Sequence, residues 1–218
     1  MYPRHRGHPL VPTIGPYLLP KMIPDLHATF TDLKLYVRED YSEALPRGLE
    51  QGRHDVCVIP LPVNRGEIVG TPIFREPIYL AMAADHPLAL KRKIDRRDLR
   101  GHSILTLEPG HQLREQVETI CKDVGANMLT DYGGTSLDTL REMVGMNMGL
   151  SFLPGLYVRS ILGQVGSVKT VELSGPPISR TIGLIWRKSS ARTEEFLSLT
   201  EEFRNAIRRE FPDFTVLT

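Results

Sequence analysis

The side chains best able to do chemistry stand close together in the stretch GHQLREQVETIC, residues 110–121. A cysteine acts as a nucleophile or an oxidant sensor only as its thiolate, which a nearby cation or a helix N-terminus stabilises. The apolar spacing predicts a helix that begins near His111 and places Cys121 in its third turn, beyond the reach of the helix dipole. We therefore favour a structural thiol at Cys121 and keep a redox role as the alternative. The apolar positions that define this helix are Leu113, Val117, Ile120 and Val124.

Four predicted junctions between a loop and a helix present hydroxyl groups or hydrogen-bond donors. In open α/β sheets, ligands bind beyond the carboxyl ends of the strands, where the amides and dipoles of helix N-termini favour anions and carbonyls. Taken singly, each junction is explained by helix capping: Ser42 is a plausible N-cap, and TSLD at 135–138 has the spacing of a capping box. Taken together, the four junctions could line one binding pocket. The junction residues are Thr13, Ser42, Gly110, His111, Gln112, Thr135 and Ser136.

Motifs of catalysis and of metal binding do not occur in the sequence. The seven histidines show no HxxxH or HExxH spacing, and neither Cys57 nor Cys121 has a CxxC partner, so no metal site is predicted. No GxSxG elbow, phosphate-binding loop or dinucleotide fingerprint is present, so we predict neither a cofactor nor an enzymatic activity. His111 is the titratable side chain best placed to contact a ligand, because a helix N-terminus favours its neutral form. A surface histidine is the alternative interpretation.

The composition indicates a cytoplasmic setting. Lysine and arginine number 27 against 26 aspartate and glutamate residues, so no excess of positive charge points to nucleic acid or to an anionic membrane. Two cysteines and a polar N-terminal stretch without a signal-peptide core predict a reducing compartment. The longest apolar runs fall short of the roughly 20 residues that a membrane helix needs.

Helix and strand patterns alternate along the chain, which is typical of an α/β protein. GPYLLPKMIPDLHATF predicts a helix kinked by its prolines, DLKLYVRE a strand, and YSEALPRGLEQG a short helix. HDVCVIPL predicts a buried strand in which Cys57 is a small apolar side chain. Two strand-like runs joined at Arg75-Glu76-Pro77 follow, and a domain boundary is predicted near residue 76. The second set consists of the strands SILTLEP, LTDYGG, GLSFLP and VKTVEL and the helices 111–124, SLDTLREMVGMN and GLYVRSIL, before a final strand, SRTIGLIWRK, and a long helix, TEEFLSLTEEFRNAIRREF.

Three segments, VPTIGPYLLP, LDTLREMVGMNMGLSFLPGL and SRTIGLIWR, closely resemble the effector-binding regulatory domain of LysR-type transcription regulators. The combination of PTIGPYLLP, GHxLR and TSLxTLRxMV is similar to the OxyR-like branch. The resemblance implies a periplasmic-binding-protein-like (type 2) α/β fold, with two subdomains joined by two crossover strands and an effector pocket between them. Residues 1–75 and 181–218 would form regulatory subdomain I, and residues 76–180 would form subdomain II. Pocket positions of the family match Thr13, Ser42, His111 and Gln112, with Thr135 and Ser136 close by.

Gln112 is the main departure from that resemblance. In OxyR-like sensors the residue after GH is the peroxide-reactive cysteine, and the cysteine nine residues later, here Cys121, resolves it in a disulfide. Glutamine forms no sulfenic acid, so this two-cysteine switch cannot operate. Nine helical residues also span on the order of 13 Å, too far for a disulfide without unwinding. Either the pocket senses another effector, such as a small polar metabolite held by Gln112, or Cys121 reacts alone or between subunits.

The sequence therefore predicts an effector-sensing regulatory domain that acts by shifting a population of conformations. The resemblance implies a small-molecule or oxidant effector and a homodimer or homotetramer. It also implies contact with DNA only through an N-terminal helix-turn-helix domain absent from this sequence, and no contact with membranes. The family's first strand should precede PTIGP, where only Leu10-Val11 remains of an apolar run. The alternatives are a solute-binding protein of the same fold that serves a transporter and, with less support, an enzyme.

Overall fold

The computed structural model describes residues 8–29, 37–161 and 166–218. The chain forms two compact units: unit 1 comprises Met1–Glu76 and Arg180–Thr218, and unit 2 comprises Pro77–Ser179. Unit 2 is thus one continuous segment, whereas unit 1 is assembled from both ends of the chain. The boundaries inferred from the sequence lay at 75/76 and 180/181.

Helices and strands alternate along most of the described chain. The helices are α1 (Gly15–Thr29), α2 (Ala44–Glu50), α3 (Gln112–Val124), α4 (Leu137–Gly145), α5 (Gly155–Ile161) and α6 (Thr193–Glu210). The strands are β1 (His8–Leu10), β2 (Val37–Glu39), β3 (Val56–Leu61), β4 (Ile68–Ala83), β5 (Ser103–Leu107), β6 (Asn127–Gly134), β7 (Leu150–Pro154), β8 (Val168–Val171), β9 (Ser179–Arg187) and β10 (Thr215–Val216). Two short 3-10 turns, Pro87–Leu90 and Arg96–Leu99, follow β4.

The sheet of unit 1 has the order β2-β1-β3-β9-β4, with β10 paired to β4. Strand β1 is parallel to both β2 and β3, whereas β3 and β9 are antiparallel. Helices α1 and α6 contact each other, and α2 contacts β3. Large side chains such as Trp186 and Phe196 are almost fully buried in this core. Burial of this apolar area supplies the main favourable free energy of the unit.

The sheet of unit 2 has β5 between β6 and β7, and all three strands run parallel. Strand β4 closes the other side through antiparallel pairing with β7 and β8. Helices α3 and α4 contact β5 and β6. The apolar face predicted for α3 is buried at Leu113, Val117 and Ile120. The positions of these helices follow from the parallel strands, because each parallel connection returns through a helix.

Strand β4 corrects one prediction from the sequence, which divided this segment into two runs at Arg75-Glu76-Pro77. The structure has one continuous strand from Ile68 to Ala83. The strand changes partners here instead of ending: Phe74 and Arg75 pair with β10, whereas Ile78 onwards pairs with β7. Pro77 has no N–H group to donate to a neighbouring strand. Because it lies between the part of β4 that pairs with β10 and the part that pairs with β7, no hydrogen bond between strands is lost there.

Other predicted boundaries shift by a few residues. Helix α4 was predicted to continue to Asn147 but ends at Gly145, and Asn147 adopts a left-handed backbone with φ of 57° that a helix cannot contain. The first strand, predicted to be reduced to Leu10-Val11, extends over His8–Leu10. Most of the predicted strand DLKLYVRE lies outside the described residues, and β2 begins at Val37. Among the described residues no helix has both the length and the apolar character required to cross a membrane.

Candidate functional site

In unit 2, two of the predicted junctions follow neighbouring parallel strands. Leu107, at the end of β5, pairs with Gly134, at the end of β6. The Glu108 amide N–H continues the pairing by donating to the Gly134 carbonyl oxygen over 3.2 Å. The segments 110–112 and 135–136 leave these two strand ends, and each leads into a helix. They therefore share one edge of the sheet, which is where ligands bind in open α/β sheets.

In unit 1, the other two junctions are related in the same way. Strand β1 is parallel to β2, and Leu10 pairs with Glu39 at their carboxyl ends. Thr13 follows β1 and Ser42 follows β2. Each unit thus brings two of the four predicted junctions to the same edge of its own sheet.

His111 is the only ionisable side chain among the seven junction residues, and 3% of its surface is exposed. It occupies the N-cap position of α3 with an extended backbone, φ −92° and ψ 124°. The chain reaches this position through Gly110, whose φ of 98° strongly favours glycine. Burial lowers the pKa of the His111 imidazole, and the nearby Glu108 carboxylate opposes that shift. The neutral imidazole can both donate and accept a hydrogen bond.

Gln112 is the first residue of α3 and is half-buried. Its side-chain Oε1 is shielded from solvent and has no hydrogen-bond partner among the described residues. An amide oxygen in this condition gains free energy from any ligand that donates a hydrogen bond to it. The start of α3 therefore presents a shielded hydrogen-bond acceptor to a ligand.

Thr13 is held by Arg180, which is in turn held by Glu76, and neither residue is among the predicted site residues. The Arg180 guanidinium donates from Nη1 to Thr13 Oγ1 over 2.9 Å and from Nη2 to the Thr13 carbonyl oxygen over 3.1 Å. Arg180 also donates from Nε to a buried Glu76 oxygen over 2.7 Å. Because Thr13 Oγ1 accepts from arginine, its own proton remains available to a ligand. The sequence does carry a sign of this network, because Glu76 in FREP and Arg180 in SRTIG are charged residues within strand patterns.

Ser136 is the N-cap of α4, since its Oγ accepts a hydrogen bond from the Thr139 N–H over 3.2 Å. The capping-box prediction for TSLD is wrong by one position, because it took Thr135 as the cap and Asp138 as its partner. Asp138 instead accepts a hydrogen bond from the Tyr157 hydroxyl over 2.8 Å. Thr135 is exposed and lies just before the cap.

The N-cap prediction for Ser42 is also wrong. Helix α2 begins at Ala44, its N-cap residue is Glu43, and no side chain makes a capping hydrogen bond there. The backbone instead starts the helix with a turn in which the Ala44 N–H donates to the Tyr41 carbonyl oxygen over 2.9 Å. The half-buried hydroxyl of Ser42 is therefore not explained by helix capping. Contact with a ligand stays a proposal for this residue.

Both cysteines are buried, as their positions in apolar patterns predicted. Cys121 is 3% exposed, and burial raises the pKa of its thiol to about 11, with a smaller contribution from the Glu118 carboxylate. Burial also raises the pKa of the Cys57 thiol, with a smaller effect from Asp40. Neither thiol is activated towards oxidants at neutral pH. Within residues 8–29, 37–161 and 166–218, no group of three or more His, Cys, Asp or Glu side chains could hold a metal ion.

The chain belongs to the family of LysR substrate-binding domains, whose family model matches residues 10–212. It is 38% identical over 202 residues to the DNA-binding transcriptional dual regulator OxyR of Escherichia coli strain K12, covering 93% of this chain and 65% of that protein. It is also 38% identical over 188 residues to the hydrogen peroxide-inducible genes activator of Haemophilus influenzae, covering 86% of this chain and 62% of the relative. The chain thus spans somewhat less than two thirds of the length of these relatives.

Solved structures of OxyR have the same fold. A crystal structure of oxidised OxyR superposes with a TM-score of 0.83 at 36% identity and covers 94% of this chain and 96% of that one. The reduced OxyR regulatory domain from Pseudomonas aeruginosa gives a TM-score of 0.80 at 34% identity, with 91% and 96% covered. These likenesses confirm the periplasmic-binding-protein-like type 2 fold and the OxyR-like branch predicted from the sequence. The reported relatives are transcription regulators, and they do not support the alternative of a transporter-linked solute-binding protein.

Proposed function

We propose that this chain is the effector-sensing regulatory domain of a LysR-type transcription regulator, with units 1 and 2 as regulatory subdomains I and II. The observation that carries the proposal is the location of the junctions that follow β5 and β6. They bring a neutral, buried His111 and the unpartnered Gln112 oxygen to the carboxyl edge of a parallel sheet. Such an arrangement serves binding, because it presents hydrogen-bonding groups to a ligand beyond the ends of the strands.

The effector would be a small polar molecule that both donates and accepts hydrogen bonds. Gln112 Oε1 requires a donor, and the amides at the start of α3 favour an acceptor or an anionic group. In unit 1, the Thr13 hydroxyl that Arg180 fixes is a hydrogen-bond donor at the edge of that unit's own sheet. The proposed effector-binding residues are Thr13, Ser42, Gly110, His111, Gln112, Thr135 and Ser136.

A link to oxidative stress follows from the names of the relatives, two of which are a hydrogen peroxide-inducible genes activator and OxyR. The present chain would sense through binding and not through a thiol pair, because the OxyR-like resemblance puts Gln112 at the position of the reactive cysteine and burial raises the pKa of the Cys121 thiol. We propose that the full protein works in the cytoplasm as a homodimer or homotetramer and reaches DNA through a further domain.

The proposal is tested by thermal unfolding of the chain in the presence of hydrogen peroxide, hydroxy acids, amino acids and other small polar metabolites. A ligand present at about 100 times its Kd stabilises the folded state by about 2.7 kcal/mol, which raises the unfolding temperature by several degrees. The effective compound should lose at least about tenfold in affinity in Gln112→Ala, since a hydrogen bond to a shielded acceptor is removed.

Gln51→Ala is the matched control, because Gln51 is an exposed glutamine at the end of α2. Its ligand response should equal that of the unmodified chain. A panel without any stabilising compound, or equal affinity in Gln112→Ala and the control, would contradict the proposed site.

A further inference from the structure

Positive charge is concentrated in one segment of unit 2 that has no part in the proposed effector site. Residues 85–102 contain six lysine and arginine residues and three aspartates, a net charge of +3. The whole chain carries only +1, so the rest of the chain is net negative. We call the exposed side chains of this segment the basic surface, which comprises Leu90, Lys91, Arg92, Lys93, Arg97 and Arg100.

Hydrogen bonds hold the two halves of the basic surface together. Lys91 Nζ contacts Asp98 Oδ1 over 2.7 Å, which ties the run 91–93 to the second 3-10 turn. The other Asp98 oxygen accepts the Asp95 backbone N–H over 2.9 Å. Arg97 and Arg100 stand three residues apart on that turn and at its end, and this spacing puts side chains on the same side of a 3-10 helix.

The same segment is attached to the body of unit 2 at three points. Arg96 donates from Nη2 to the Pro176 carbonyl oxygen over 3.0 Å, and the Ser174 N–H donates to the Ile94 carbonyl oxygen over 2.9 Å. Lys169, on β8, donates to the Ala89 carbonyl oxygen over 2.5 Å. The exposed cations are therefore presented by a backbone that is already ordered, which lowers the entropic cost of binding a partner.

Most of these cations have no acidic partner. Lys91 forms the ion pair with Asp98, whereas Arg92, Lys93, Arg97 and Arg100 make no ion pair within the described part of the chain. All four are exposed. Neighbouring like charges repel one another, so an anionic partner would relieve this repulsion as well as forming its own contacts.

Leu90 distinguishes between the possible polyanions. Its side chain is 90% exposed, more than any other large apolar side chain among the described residues, and it directly precedes the basic run. A phosphodiester backbone offers little apolar surface to cover it. A peptide offers both carboxylates and apolar side chains, and arginine forks bind carboxylates through two parallel hydrogen bonds.

We propose that the basic surface docks an acidic segment of a partner protein. Aspartate or glutamate carboxylates of that segment contact Arg92, Lys93 and Arg97, and one of its apolar side chains covers Leu90. This interaction is independent of the effector site, so either can fail in experiment without the other.

The test measures binding of the full chain to labelled synthetic peptides by fluorescence anisotropy. The probe is a peptide of repeated Glu-Glu-Leu, compared with repeats of Gln-Gln-Leu and Glu-Glu-Ser and with mixed-sequence duplex DNA. The variant Arg92→Glu/Lys93→Glu/Arg97→Glu should weaken binding of the Glu-Glu-Leu peptide by about tenfold or more, because three favourable charge contacts become repulsive. Leu90→Ser should weaken binding of the Glu-Glu-Leu peptide by about threefold, because an apolar contact is lost. It should leave the affinity for the Glu-Glu-Ser peptide unchanged.

The matched control is Arg47→Glu/Lys188→Glu/Arg208→Glu, which changes net charge equally at exposed sites of unit 1. It should retain peptide affinity to within about twofold, and raised salt should weaken binding in both proteins. Leu90→Ser removes no charge and provides a second readout if the triple variant folds poorly. Absence of binding to Glu-Glu-Leu, equal loss in the control, no effect of Leu90→Ser, or equally tight binding of duplex DNA through the same residues would overturn the proposal.

Discussion

Among single side chains, His111 makes the stability of the chain depend on pH. Its folded-state pKa lies below the value in the unfolded chain because burial disfavours the charged imidazole. The unfolded chain therefore takes up a proton first as the pH falls, and the stabilising contribution is present above roughly pH 6.5 and lost below it.

The His111→Asn variant should lose part of this dependence. Urea unfolding between about pH 7.5 and pH 5 should give a shallower fall in unfolding free energy than for the unmodified chain. His86→Asn is a useful comparison, because burial and the neighbouring His102 lower the pKa of the half-buried His86 as well, while Asp85 opposes the shift. Identical slopes for His111→Asn and the unmodified chain would show that His111 does not titrate with folding.

The buried thiol of Cys121 should be inert. With a pKa of about 11, roughly one thiol in ten thousand is ionised at pH 7. Mass spectrometry after mild peroxide treatment should find Cys121 unmodified in the folded chain and modified after denaturation. Cys121→Ser should preserve the fold and effector affinity, and lower the unfolding free energy by about 1 kcal/mol because a hydroxyl is buried among apolar groups. Prompt oxidation of folded Cys121, or a disulfide between two chains, would restore the redox interpretation.

The sequence predicted burial at Cys121, and it placed the start of α4 to within one residue, because both depend on neighbours a few residues away. It did not predict the Arg180 contacts with Thr13 and Glu76, whose three positions are brought together only by the sheet of unit 1. Helix α2 shows another limit of prediction from the sequence. A turn of the backbone starts it, so the hydroxyl of Ser42 gave a misleading signal.

Among the strands, β9 lies between β3 and β4. At Gly183, this strand has no room for a side chain. A Cβ atom on Gly183 would stand 2.6 Å from the Thr71 carbonyl oxygen and would also collide with Leu61. Gly183→Ala should therefore lower the unfolding free energy by about 1 to 3 kcal/mol, as overpacking does in other cores. Chemical denaturation would measure the loss.

Gly66→Ala provides the control for that substitution. No atom lies within 4 Å of a Cβ placed there, and the backbone has no positive φ. The change should be neutral or stabilising by up to about 1 kcal/mol, since alanine restricts the unfolded chain. A similar loss in both variants would mean that the close approach at Gly183 relaxes without cost.

Periodicity identified nearly every helix and strand, but not where each changes partner or ends. The sequence pattern divides strand β4 into two because proline usually interrupts a strand. In the structure, Pro77 lies where β4 exchanges its partner β10 for β7, and the strand continues through it. The end of α4 depends on a left-handed residue, Asn147, that no apolar pattern marks. Partner exchange and backbone turns are tertiary properties, and a local window of sequence does not contain them.

For the molecule as a whole, the continuity of unit 2 predicts that it can fold by itself. Its sheet uses only strands from residues 77–179, and helices α3 and α4 contact that sheet from within the same segment. A protein comprising residues 77–179 should show cooperative thermal unfolding by circular dichroism. Residues 1–76 alone should not, because β3 would lack β9 and α1 would lack α6. A non-cooperative melt for 77–179 would show that unit 2 depends on unit 1.

The discontinuity of unit 1 also sets an order of events on the ribosome. Its early strands leave the exit tunnel first, but β3 must wait for β9, which emerges only after all of unit 2 has been made. During that interval the inserted unit can complete its core, while the apolar face of the first segment stays without its partner. Of the two units, the one whose translation begins first is therefore the last to be completed, and a nascent chain stalled before Arg180 would carry a folded unit 2 beside an incomplete unit 1.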